Sequence, residues 1–150
     1  MTSVIFHAAP DAAPPPPSAR YSHAVQADGW LYVTGQLPVD PHAPDEPPPE
    51  GIEAQAELCF DNLRRIAAHA GYALSDTVFA RIYLCEFAED YTGFNRVYDR
   101  YFDDTQRLPA RTTIGVARLG RDARVEIDLV LFAERARATA RESLLSDVQI

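Results

Sequence analysis

At 150 residues the chain is long enough for one domain around a single core and too short for two comfortable ones. Its 47% hydrophobic content is that of a globular protein, while a net charge of −8 and a pI near 4.9 argue against a protein that tracks a phosphate backbone, since such affinity comes mostly from Lys and Arg. No run approaches the roughly 18 apolar residues of a membrane span, the opening "MTSVIFHAAP" lacks the apolar stretch of a signal peptide, and Cys59 and Cys85 show neither metal spacing nor a disulfide framework, so a cytoplasmic protein with no membrane or nucleic-acid partner is expected.

In chain order, "VIFH" reads as a short edge strand, and a proline-rich connector follows from Ala13 to Arg20. "YSHAVQ" and "GWLYVTGQL" read as two strands joined by Asp28-Gly29, a strong hairpin signal. Pro41 to Gly51 is an acidic, proline-rich surface loop. From Glu53 to Ala70 the period becomes helical, with Cys59, Leu63, Ile66 and Ala70 on one face and Gly71 as the stop. "TVFARIYL" is a strand by its β-branched and aromatic content. "DYTGFNRVYDRYF" returns to helical spacing, with Asp90 as N-cap and Phe94, Val97, Tyr98 and Tyr101 as a core-facing stripe. The residues from Glu134 to Ile150 form a charged, Ala-rich extension, read as a frayed helix beyond a single domain over 1–133.

Between the second helix and that extension stands "LPARTTIGVARLGRDARVEIDLVLF", which reads as a closing hairpin turning at Gly120. Strand alternation puts Ile114 with Val125, Ile127, Leu129 and Leu131 toward the core. Arg111, Thr113, Gly115, Arg124, Glu126 and Asp128 then share the opposite face. With Thr113 facing Asp128 and Gly115 facing Glu126, Arg111 and Glu126 stand roughly 13 Å apart along the strands, a gap suited to a very small ligand. By pattern alone these charges fit a solvated face or a subunit contact as well as a site. The element order gives a mixed sheet with both helices on one face, an α+β arrangement whose other face requires cover, which oligomerisation would supply.

Three stretches in order, "YSHAVQADGWLYVTGQLPVDP", "FNRVYDRYF" and "PARTTIGVARLGRDARVEID", resemble the RidA (YjgF) family, over about Val4 to Ala133. The resemblance implies a chorismate-mutase-like α+β fold. It also implies a homotrimer with a barrel-like centre, and clefts for small imino or keto acids between subunits. The implied activity is hydrolysis of reactive 2-imino or 2-enamino acids to 2-keto acids and ammonia, as by a 2-iminobutanoate/2-iminopropanoate deaminase, without metal or other cofactor. Carried over by position, Arg111 would hold the substrate carboxylate and Glu126 would activate water, with Tyr21, Gly35, Asn95 and Thr113 lining the cleft. Ala19-Arg20 replace the family's usual Gly-Pro before the tyrosine, a departure at the cleft entrance that bears on substrate preference. His23 shares a strand face with Tyr21 and is read as interface or cleft. Cys85 is read as a buried small residue in a strand. Competing readings are a pathway-specific deaminase for a larger imino acid, a non-catalytic small-acid binder and an RNA-cleaving enzyme.

Overall fold

A computed structural model describes residues 3–134. Six strands and two helices follow in the order β1 (Val4–His7), β2 (Ala24–Ala27), β3 (Trp30–Gln36), α1 (Ile52–His69), β4 (Thr77–Leu84), α2 (Phe87–Tyr101), β5 (Ala110–Gly115) and β6 (Val125–Phe132). The expectation for the terminal extension falls, from residue 135 onward, outside the described residues. Among the described residues no helix is long and apolar enough to cross a membrane.

The sheet order is β1-β2-β3-β6-β4-β5, antiparallel except for the parallel pair β4-β5. This corrects the expected closing hairpin: β5 and β6 are not neighbours, because β4 lies between them. The segment from Val116 to Arg124 crosses the end of β4 instead, tied there by Val116 N–H to the Leu84 carbonyl (2.9 Å) and Cys85 N–H to the Arg124 carbonyl (3.1 Å). Composition explains the choice. β6, "VEIDLVLF", carries four residues buried to 1% or less and takes a central position, whereas β5, "ARTTIG", has little apolar surface to bury and takes the edge.

Faces follow from that order. Ala80, Ile82 and Leu84 of β4 pair with Leu129, Ile127 and Val125 on one side and with Arg111, Thr113 and Gly115 on the other. All of these point toward the helices. Arg111 therefore does not share a face with Glu126, which pairs with Tyr83 on the opposite face. The expected registers Thr113–Asp128 and Gly115–Glu126 do not exist, and Ile114, expected in the core, is exposed on the outer face. The inward set Val125, Ile127, Leu129 and Leu131 is as expected.

Both helices cover one face of the sheet. Cys59, Phe60, Leu63, Ile66 and Ala67 of α1 and Phe94, Val97 and Tyr98 of α2 meet Leu31, Val33, Ile82 and the inward residues of β6 in one core. Each large side chain buried there stabilises by roughly 1.5–3 kcal/mol. The α1 terminus follows the sequence closely. Gly71 takes φ +91°, its N–H bonds the Ala68 carbonyl and the Tyr72 N–H bonds the Ala67 carbonyl, closing the last turn in a Schellman motif. Asp90 is not the N-cap of α2. The helix begins at Phe87, and Asp90 is buried in its first turn, where Arg124 grips it through Nε and Nη2, both at 2.8 Å. That bidentate pair locks the start of β6 to α2.

The proline connector is stitched down through His23. The Ala9 N–H donates to Nδ1 (2.8 Å) and Nε2 donates to the Ala13 carbonyl (2.8 Å), which fixes the neutral Nε2–H tautomer. Ala13 N–H in turn donates to Asn62 Oδ1 (2.9 Å), and Asn62 Nδ2 to the Val39 carbonyl (2.7 Å). His23 is 5% exposed, so it serves the protomer's own interior and not a cleft or an interface. His23→Ala strands two buried backbone groups and should cost ~2–4 kcal/mol in a denaturant titration; a loss below ~0.5 kcal/mol would show the connector to be held elsewhere.

Candidate functional site

The residues singled out in the sequence fall into two clusters. The first lies at the β5 edge, on the helix face. Arg111 Nε donates to Thr113 Oγ1 (2.8 Å) and Nη2 to Asn95 Oδ1 (2.6 Å). Its guanidinium carbon sits 4.4 Å from the Tyr98 ring centroid, 5.3 Å from that of Phe94 and 5.8 Å from that of Tyr91. The aromatic stripe of α2 is thus both core and cradle. No carboxylate is paired with Arg111 among the described residues, whereas Arg64, Arg65, Arg81, Arg96, Arg100, Arg118 and Arg124 all have one. A half-buried guanidinium held by neutral oxygens and π faces keeps its positive charge available to an incoming anion.

The second cluster lies on the outer face. A bulge in β3 sets Thr34 and Gly35 against one residue of β6, since Val33 pairs with Leu129 and Gln36 with Ile127. The Glu126 carboxylate lies directly over Gly35, where a Cβ would collide with it. Tyr21, Thr34, Gly35, Gln36 and Glu126 line a cavity of about 460 Å³ whose far wall is the connector (Ala13, Pro14, Pro16, Ser18, Ala19) and the Gly120-Arg121 turn. Burial, and then the charge of Asp128, push the Glu126 carboxyl above the usual carboxylate range. Burial, then Glu126, raise the Tyr21 phenol, with Arg121 acting in the opposite direction. Asp128 itself is tied up, accepting from Arg81 Nε (2.7 Å) and Tyr83 Oη (3.1 Å). Among the described residues no group donates a hydrogen bond to the Glu126 carboxylate, and no three His, Cys, Asp or Glu side chains gather as they would around a metal ion. Of the carboxylate pair in β6, one member is structural and the other faces a cavity.

Gly35→Ala should therefore displace the Glu126 carboxylate while leaving the core intact. Tm should change little, since only the far end of a flexible side chain has to yield, and a crystal structure of the variant should show the carboxylate moved off residue 35; an unmoved carboxylate would mean that the β3 backbone yields instead.

The two clusters do not meet in one chain. Two strand spacings and three residues of offset separate Arg111 from Glu126, roughly 14 Å, and their side chains leave opposite faces of the sheet. Cys85 follows the end of β4, half-buried, with its thiol toward the Ala123 carbonyl (3.4 Å).

A mixed sheet with two helices on one face and its polar clusters on the strands themselves makes this an α+β open-faced sandwich. The family model described as Endoribonuclease L-PSP matches residues 11–133, and the chain belongs to that family, the RidA (YjgF) group. It is 39% identical over 116 residues to a RutC family protein of Saccharolobus solfataricus, covering 77% of this chain and 89% of that one. Among solved structures it is similar to RidA from an Antarctic Psychrobacter (31% identity, TM-score 0.77, covering 86% of this chain and 99% of the other). It is also similar to E. coli TdcF with bound serine (25% identity, TM-score 0.79, covering 87% and 99%).

Proposed function

We propose that the protein hydrolyses 2-imino and 2-enamino acids to 2-keto acids and ammonia, at clefts formed between copies of the chain in a homotrimer. The observation that carries this reading is Arg111, a half-buried guanidinium on an aromatic bed with no carboxylate of its own. Its edge position lets a neighbouring copy complete the surroundings.

The chemistry asks for little more. A 2-imino acid is electrophilic at C2. Arg111 holds its carboxylate in a two-pronged hydrogen bond. Glu126 takes one proton from water as the oxygen adds to C2 and passes it to the nitrogen, giving a carbinolamine, then carries the remaining hydroxyl proton to the nitrogen as the C–N bond breaks, so that imine and water give ketone and ammonia with the carboxylate unchanged. Burial that raises the Glu126 carboxyl also makes it a better base once ionised. Since Arg111 and Glu126 are on opposite faces of one sheet, both can touch a small substrate only if they come from different copies. The outer face supports this arrangement: Phe6 (71% exposed), Tyr32 (52%), Trp30, Phe132 and Ile114 form an apolar surface suited to burial by partners. TdcF was solved with bound serine, a small amino acid whose carboxylate is of the kind Arg111 is suited to hold. RNA cleavage, the activity named in the family model's description, draws less support from a chain of net charge −8.

The test is a coupled assay in which an amino-acid oxidase generates imines and keto-acid release is followed with and without this protein. Acceleration well above spontaneous hydrolysis supports the reading; tight keto-acid binding without acceleration would make the protein a small-acid binder.

A further inference from the structure

The Glu126 cavity is lined by one arginine, Arg121, to which imine hydrolysis gives no role. Arg121, exposed at the turn after Gly120, lines the cavity together with Gly35 and the connector residues Pro14 and Pro16. Its charge reaches the Tyr21 phenol, where it favours the ionised form against burial and Glu126. Among the described residues no carboxylate is paired with it, although the arginines on either side are both engaged, Arg118 with Asp122 and Arg124 with Asp90. The backbone that presents it is unusual: Arg121 has φ 60° and Asp122 φ 53°, two successive non-glycine residues in the left-handed region. Such a conformation is disfavoured for Arg121, though Asp122 is of a type that adopts it more readily. Here the Ala123 N–H to Gly120 carbonyl bond (3.1 Å) and the Arg118–Asp122 pair (2.8 Å) hold the turn.

Size points the same way. In the single chain the cavity is about 460 Å³, several times the volume of a 2-imino acid of three or four carbons, on the order of 100 Å³ or about three liquid-water volumes, which leaves room for the partner's Arg111 as well as a longer substrate. The cavity lining joins Glu126 and Arg121 to the apolar Pro14, Pro16 and Leu37.

Resting on the deaminase reading, we infer that Arg121 is a specificity-determining residue that binds a second anionic group, so that the preferred substrates are 2-imino acids carrying a side-chain carboxylate. Arg111 takes the carboxylate next to the reacting carbon and Arg121 takes the distal one. A monocarboxylic imine leaves Arg121 facing water and gains nothing from it.

The experiment compares wild type, Arg121→Gln and Arg121→Lys by two readouts. The first is the ratio of kcat/KM for oxidase-generated imines of glutamate to that for imines of 2-aminobutyrate. The second is calorimetric binding of 2-oxoglutarate against 2-oxobutanoate, which requires no turnover. Wild type should favour the dicarboxylic member at least about tenfold in both. Arg121→Gln should erase the preference, and Arg121→Lys should restore part of it because the distal charge returns. Absence of the preference in wild type, or its survival in Arg121→Gln, overturns the inference. An equal loss for both substrate classes in Arg121→Gln also overturns it, since Arg121 would then be gripping the carboxylate that every substrate carries. Should no imine be hydrolysed while the binding preference is present and vanishes in Arg121→Gln, the assignment of Arg121 stands and the deaminase reading falls.

Discussion

Arg111→Ala should lower kcat/KM for imine hydrolysis by about tenfold to a few hundredfold while the protein stays folded. The range corresponds to losing a charged hydrogen-bonded contact of ~1.5–3 kcal/mol. Stability is expected to change little, because Arg111 lies on an edge strand and its removal opens no hole in the apolar core. Two acceptors, Asn95 Oδ1 and Thr113 Oγ1, lose their donor, but β5 is open enough for water to replace it. Arg111→Lys is the sharper variant. An ammonium returns the charge but cannot bond Thr113 and Asn95, lie against the Tyr98 ring and grip a carboxylate with two parallel donors all at once. Rescue by Lys should therefore be poor. Near-wild-type turnover by the Ala variant would remove carboxylate recognition from the mechanism.

Glu126→Gln should be the more damaging change, lowering turnover roughly 10²- to 10⁴-fold, the range for a positioned acid–base group. Keto-acid binding should survive, since the carboxamide keeps the shape above Gly35. Stability should not fall, and a small rise is expected. The folded-state carboxyl titrates above its unfolded value because it is buried and faces Asp128. Ionised Glu126 thus costs stability at pH above that raised value, and the cost vanishes as pH falls below the ordinary carboxylate range. Gln removes the cost at neutral pH, worth a rise of ~1–3 °C in Tm. Activity has the reverse dependence. A base works only when ionised, so wild-type kcat/KM should climb with pH through a midpoint above the ordinary carboxylate range, and the variant should lack that limb. A fully active Glu126→Gln enzyme would mean that backbone groups place the water.

Local patterns made much of the fold legible. The apolar spacing of α1 and its Gly71 stop, the Asp28-Gly29 turn between β2 and β3, and the inward set of β6 depend on neighbours a few residues apart, and the structure has all three. What failed was the assumption that consecutive strands pair. β4 separates β5 from β6, a decision made by burial across the whole sheet, and it reversed the face assigned to Arg111. The second cluster was half visible. Glu126 stood out by strand alternation, Tyr21 and Gly35 came from family resemblance, and the three do share a cavity. Asp90 showed only as a capping type in the sequence, because its partner Arg124 is far along the chain. The Tyr98 and Phe94 rings read as core because helical spacing cannot say that a guanidinium from another element will lie on them. His23 was misplaced for a similar reason, its partners Ala9 and Ala13 belonging to a connector without regular structure.

The composite cleft makes a demand that neither single variant meets. If Arg111 of one copy works with Glu126 of another, two inactive variants should repair each other. Arg111→Ala and Glu126→Gln chains, co-expressed with different tags and purified through both, should regain imine hydrolysis at the interfaces where an intact Arg111 meets an intact Glu126, about one in three, because each mixed trimer has a single such interface among its three. The account predicts activity near that fraction of wild type and far above either parent. Mixed assemblies no more active than their parents would contradict it, and would place the whole reaction within a single chain or nowhere on this surface.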